Sequence, residues 1–319
     1  MPESLPRRIV TSKYLKFMVS AGLLVWVISR FGFRTVLGGM IAADKGFVLY
    51  AVGTFIASGM IGAAQWWTLL KFHGIATGYP ATLARYFMGL FFNYMLPGFV
   101  GGDVVRVYKT TINSGNPARS FSSTLADRVI GLMVLVLFSL GAYALLPGED
   151  AGHAVPVAIF MLAVLAGFIT VFAFKPLGAF IKRHFGRFIP RGIEDTVAGI
   201  YLETHRLTRA PKTLATVFTL SVIVQFTRIA VHYLCGRAVG IDIGFAYFAL
   251  FVPLVEIVAS LPVSMGGVGV RESMAFILFS TVGQGRSVVV SYTLLATAAG
   301  LIGSIPGGVA FILGAGDRK

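Results

Sequence analysis

The chain has 319 residues, 56% hydrophobic and 13% charged, with a mean hydropathy of +0.81. A soluble domain carries about 25% charged residues, so this composition excludes an ordinary cytosolic enzyme and defines a polytopic membrane protein. The formal charge of +14 serves orientation and anionic headgroups first in such a chain, which argues against a nucleic-acid partner. Its 13 acidic residues, five histidines and one cysteine leave little from which to build a soluble catalytic domain. Lone Cys235 can form no internal disulfide and reads as a small core residue.

About 20 apolar residues cross a bilayer core of roughly 30 Å. That ruler gives six spans, at residues 14–31, 46–70, 120–146, 153–174, 212–236 and 287–314. The first is confined by Lys16 and Arg30, which can snorkel to the interfaces. A cleaved signal peptide with Arg7, Arg8 and Lys13 as its n-region is the rival reading. Ser29-Arg30-Phe31 stands where a small-x-small cleavage site would have to be, so the segment reads as a retained span.

Loop 147–152 contains no Lys or Arg, whereas segment 175–212 contains Lys175, Lys182, Arg183, Arg187, Arg191, Arg206, Arg209 and Lys212. The positive-inside rule makes the long loop cytoplasmic and the short one external. Arg7, Arg8 and Lys13, and Arg318 with Lys319, put both termini on the cytoplasmic side of the inner membrane. Within the basic loop, Leu177, Phe180, Ile181, Phe185, Phe188 and Ile189 recur at helical spacing between the basic residues. This suits a helix lying in the inner headgroup region; the alternative is a cap packed on the ends of the spans.

Two apolar segments are interrupted. Residues 81–96 lead into Leu96-Pro97, then Gly101-Gly102 and Arg106; residues 244–262 lead into Leu261-Pro262, then Gly266-Gly267, Gly269 and Arg271. Both read L-P-x-x-x-G-G-x-x-x-R, 165 residues apart. Proline removes a helical donor and the glycines allow turns closed to other residues. Each segment is therefore expected to be a helix that breaks at these residues, turns and continues as a half-helix. Irregular backbone at membrane depth survives only under cover of protein or a watery cavity. The fold expected is an all-α membrane bundle with two re-entrant helical hairpins, a single membrane domain over 1–319. Its halves, about 14–146 and 153–314, begin on opposite sides of the membrane, which makes an inverted repeat. Paired interrupted segments of this kind point to a substrate site near the midplane.

Charged residues inside a membrane protein are costly and tend to mark function. Those singled out are Asp103, Arg106 and Lys109 at the first break, Asp127 and Arg128, Arg228, Glu256 before the second break, and Arg271 with Glu272 after it. Arg106 and Arg271 fall near half-helix starts, where free backbone donors and the positive dipole end favour an anion. Their planar forks suit phosphate. The structural alternative is internal pairing, of Asp103 or Asp127 with Arg106 or Arg128, that merely locks the hairpins. His232 reads as a packing residue, Trp66 and Trp67 near Lys71 as an aromatic belt, and Gly303-Ser-Ile-Pro-Gly307 as a close helix contact. With no P-loop, no H-E-x-x-H and no D-x-D in the sequence, neither a cofactor nor a metal is expected.

At Asn93, Leu96-Pro97, Gly101-Gly102-Asp103 and Arg106, at Asp127-Arg128, and at Leu261-Pro262, Gly266-Gly267, Gly269, Arg271 and Glu272, the chain resembles the lysylphosphatidylglycerol synthase transmembrane family. The resemblance covers nearly its whole length. It implies two re-entrant hairpins and a membrane domain that flips aminoacylated phosphatidylglycerol, which in two-part members a separate soluble domain synthesises. No such domain follows here, so lipid synthesis is not expected. The reading is a translocator of a phospholipid, with Asn93, Asp103, Arg106, Asp127, Arg128, Glu256, Arg271 and Glu272 as substrate-binding residues and no catalytic ones. One rival is a polyprenyl-phosphate-linked glycosyltransferase using Asp127 or Asp103 as base. The other is a non-catalytic partner that recruits a separate lipid-modifying enzyme through 175–212. A homo-oligomer is compatible with each.

Overall fold

The computed structural model describes residues 38, 41–95, 101–146, 155, 156, 159–164, 166, 167, 206–260 and 269–315. Among these there is no strand. The helices are α1 Lys45–Phe72, α2 Tyr79–Met95, α3 Gly101–Ser114, α4 Pro117–Leu145, α5 Pro211–Ala238, α6 Phe245–Ala259, α7 Val270–Ser280 and α8 Arg286–Ile312. Four of them, α1, α4, α5 and α8, are long and apolar enough to cross a membrane. They match the expected spans 46–70, 120–146, 212–236 and 287–314. Of span 153–174 the described residues are helical; span 14–31, loop 147–152 and the amphipathic stretch 177–189 lie outside the described residues.

Local chemistry sets the helix ends. Asp44 caps α1, its Oδ1 accepting from the Gly46 and Phe47 amides at 2.7 and 3.3 Å. Asn116 caps α4 through the Arg119 amide at 3.0 Å, with Pro117 at the first helical position, where its missing N–H costs nothing. The C-termini of α1 and α5 are built alike. Gly74 and Gly240 adopt φ of 73° and 88°, and the Ile75 and Ile241 amides each reach back to a helix carbonyl at 2.9 Å. This left-handed close turns the chain out of a long helix into a short one. The sequence behind it, x-G-I-x-x-G, occurs at 73–78 and 239–244.

α1 and α5 thus each hand over to a pair of short helices, α2 with α3 and α6 with α7, that pack on each other. Gly101 and Gly102 open α3, and Gly269 precedes α7; Pro97, Pro262, Gly266 and Gly267 lie outside the described residues. α1 runs along α5, α2 packs on α8, and α6 packs on α4. Exchanging the first four helices for the last four turns this set of contacts into itself. Apolar burial around the second group centres on Phe248, Phe279 and Tyr292, whose rings meet edge-on or tilted at 5.1–5.7 Å.

Small residues bring the backbones together. A Cβ at Gly307 of α8 would fall on the backbone carbonyl of Phe87 in α2, and one at Gly303 would lie against the Phe55 ring. The G-x-x-x-G stretch is therefore the crossing point its pattern suggests. Gly307→Ala is expected to force the helices apart and cost about 1–3 kcal/mol of stability. Gly53→Ala, where a Cβ meets nothing within 4 Å, should cause no loss and can gain up to about 1 kcal/mol from helix propensity; thermal unfolding of both variants in detergent checks the contrast.

Candidate functional site

The helix pairs and the long helices enclose a cavity of about 150 Å³. It is large enough for a phosphate-sized group with water and too small for acyl chains. All eight helices contribute to its lining, among them Tyr86 and Asn93 of α2, Arg106 of α3, Asp127 and Arg128 of α4, Gln225, Arg228 and His232 of α5, Glu256 of α6 and Arg271 of α7.

At one end lies a four-membered ion cluster. Arg106, 5% exposed, donates through Nη2 to Asp127 Oδ2 at 2.8 Å and through Nη1 to Asp103 Oδ1 at 3.3 Å. Asp103 accepts a second bond, at 2.5 Å, from Nε of Arg128. The guanidinium carbon of Arg106 lies 4.2 Å from the Trp66 ring centre and 4.6 Å from that of Tyr86. A dry charge needs such compensation, and the ring faces add to what the carboxylates supply; among the described residues Arg106 Nε has no hydrogen-bond partner. The α2–α3 contact that aims Arg106 inward rests on two glycines. A Cβ at Gly102 would strike the Gly89 carbonyl, and one at Gly89 would lie 2.6 Å from Arg106 Cδ. Asn93 accepts from the Gly102 amide at 2.9 Å and so secures the start of α3.

At the other end Arg271, on α7, donates through Nε to Glu256 Oε1 at 3.0 Å and through Nη1 to Thr297 Oγ1 at 2.9 Å. His232 Nε2 stands 3.6 Å from the same Glu256 oxygen. Glu272 is fully buried, yet it does not line the cavity. Its Oε2 accepts from the Gly269 amide at 2.5 Å, which closes the first turn of α7. Lys109 Nζ lies 5.6 Å from the Phe311 ring centre.

The structure thus brings Asp103, Arg106, Asp127 and Arg128 together, and Glu256 with Arg271, while Asn93 and Glu272 hold helix starts. Trp66 departs from the aromatic-belt expectation. It is fully buried and stacked on Arg106, because the α1 face that carries it turns inward; Trp67, beneath Lys71 at 3.4 Å, is the outer member. Tyr86, Gln225 and Thr297 were not anticipated. Gln225, Arg228 and His232 follow the helical spacing of one α5 face, a signal present in the sequence. Among the described residues no group of three or more His, Cys, Asp or Glu is arranged to hold a metal.

Spanning helices packed around a buried, charged cavity define a polytopic helical membrane protein. The chain belongs to the lysylphosphatidylglycerol synthase transmembrane-region family, whose model matches residues 14–307. It is similar to a UPF0104 membrane protein of Pyrococcus horikoshii, 27% identical over 305 residues that cover 89% of this chain and 91% of the relative. A UPF0104 membrane protein of Methanothermobacter thermautotrophicus is 25% identical over 298 residues, 84% of each chain.

Removing one partner of a buried pair strands the other charge. Asp127→Ala is therefore expected to cost about 3–5 kcal/mol of stability, seen as a large drop in unfolding temperature. Arg128→Ala, at a side chain 32% exposed, should cost clearly less.

Proposed function

We propose that this protein translocates a phospholipid between the leaflets of the inner membrane, passing the phosphate-bearing headgroup through the charged cavity while the acyl chains stay in the bilayer. The observation that carries this reading is a headgroup-sized cavity lined by arginines from both short-helix pairs and both adjoining spans. Arg106 and Arg271 are the proposed phosphate-side residues. Asp103, Asp127, Arg128 and Glu256 form their exchange partners, and Asn93 and Glu272 keep the half-helix starts in place. An anionic or aminoacylated phosphatidylglycerol fits this charge pattern, its phosphate toward arginine and any ammonium toward carboxylate.

In this reading α2–α3 and α6–α7 are re-entrant hairpins entering from opposite faces. The halves 14–146 and 153–314 form an inverted repeat in one membrane domain, and both termini are cytoplasmic. The matched breaks, the matched caps at Gly74 and Gly240, and the exchangeable packing of the two helix sets support it. Alternating exposure follows if the ion clusters open in turn. The sequence contains no P-loop, so movement runs downhill or is coupled to an ion.

The test is the movement of labelled anionic and aminoacylated phospholipids in proteoliposomes. Arg106→Lys and Arg271→Lys keep the charge and lose the planar fork. Each is expected to slow movement about tenfold or more, on the scale of a lost charge-assisted hydrogen bond, while remaining folded. Absence of protein-dependent movement for every lipid tried would contradict the reading.

A further inference from the structure

Four arginines line the cavity, and three of them are already committed to carboxylates, Arg106 and Arg128 at one end and Arg271 at the other. Arg228 is different. Among the described residues it has no carboxylate within 4.0 Å, and its hydrogen bond goes to the neutral Tyr86 hydroxyl at 3.3 Å. It stands mid-helix in α5 between the two clusters and is only half-buried, so its guanidinium meets the open space. One turn earlier, Gln225 is 5% exposed and lines the same cavity, and among the described residues its Oε1 has no hydrogen-bond partner. A buried amide oxygen without a donor is costly, and a guanidinium at membrane depth without a carboxylate in contact is costlier still.

A single ligand relieves both, provided that it carries an anion for Arg228 and a donor for Gln225. Resting on the translocation reading, we infer that Arg228 and Gln225 form the resting headgroup site, which binds a phosphodiester whose second substituent bears a hydroxyl or ammonium. Tyr86 orients Arg228 toward it. Space for Tyr86 exists because residue 62 is glycine, where a Cβ would lie 2.6 Å from the Tyr86 Cζ. Arg106 and Arg271 then receive the phosphate in turn, as their clusters open, and the anion waits at Arg228 between them.

The test is calorimetric titration of the purified full-length protein in detergent with glycerophosphoglycerol, inorganic phosphate and glycerol. Arg228→Gln is expected to weaken both phosphate-bearing probes about tenfold or more, with an unfolding temperature that does not fall, because among the described residues no ion pair is broken. Arg228→Lys, which keeps the charge and loses the fork, should retain more binding than Arg228→Gln and so guards against a folding artefact. Gln225→Leu should abolish the preference for glycerophosphoglycerol over inorganic phosphate and leave phosphate binding intact. A preference for glycerophosphoglycerol in the wild type identifies a lipid headgroup as the source. Equal binding of inorganic phosphate identifies a free phosphate and overturns the role of Gln225. Wild-type affinity in Arg228→Gln, or no phosphate binding in the wild type, would overturn the site. Lipid movement measured in parallel separates the two ideas. Movement with Arg228-independent binding removes this site alone, and Arg228-dependent binding without movement removes the translocation reading alone.

Discussion

Everything around the cavity depends on how the Arg106 guanidinium is kept charged away from water. Two carboxylates and two aromatic faces surround it, supplied by α1, α2, α3 and α4. No two of these helices can move apart without exposing part of an uncompensated charge, which in a low-dielectric interior costs more than the apolar contacts around it return. The glycines follow from the same demand. Gly89 and Gly102 let α2 and α3 approach until Arg106 reaches Asp127, and a side chain at either would push the guanidinium out of its cage.

The second half solves the equivalent problem differently. Arg271 stands 165 residues after Arg106, and its surroundings include one carboxylate, one hydroxyl and a nearby imidazole. α1 and α5 have equal lengths of 28 residues, and an offset of 166, the one separating Gly74 from Gly240, pairs Trp66 with His232 and Gly62 with Arg228. The first half thus holds its arginine with an apolar ring and closes tightly. The second leaves polar atoms facing open space. The site is therefore built from unequal halves.

Much of this was legible in the sequence. Length and hydropathy found α1, α4, α5 and α8 because a bilayer imposes one ruler on every span. The repeated L-P-x-x-x-G-G-x-x-x-R found the short pairs because proline and glycine act on the backbone locally. Internal pairing of Asp103 and Asp127 with Arg106 and Arg128, entertained as the structural alternative, is what the geometry contains. The cage around Arg106 was not legible, because Trp66 and Tyr86 come from other helices and nothing local marks an aromatic ring as a partner for a cation. Glu272 reads as a site residue in the sequence, and one oxygen of its carboxylate caps the α7 N-terminus, a role that spacing alone does not distinguish from ligand binding.

The claim on which the account turns is that the two short-helix pairs open toward opposite faces, so that the ion clusters can act as alternating locks. Single cysteines at Gly98 and Met265, in a Cys235→Ser background, can be probed with a membrane-impermeant thiol reagent in oriented vesicles. The account predicts that Gly98→Cys is modified from the cytoplasmic side alone and Met265→Cys from the external side alone. Modification of both from one side would contradict it.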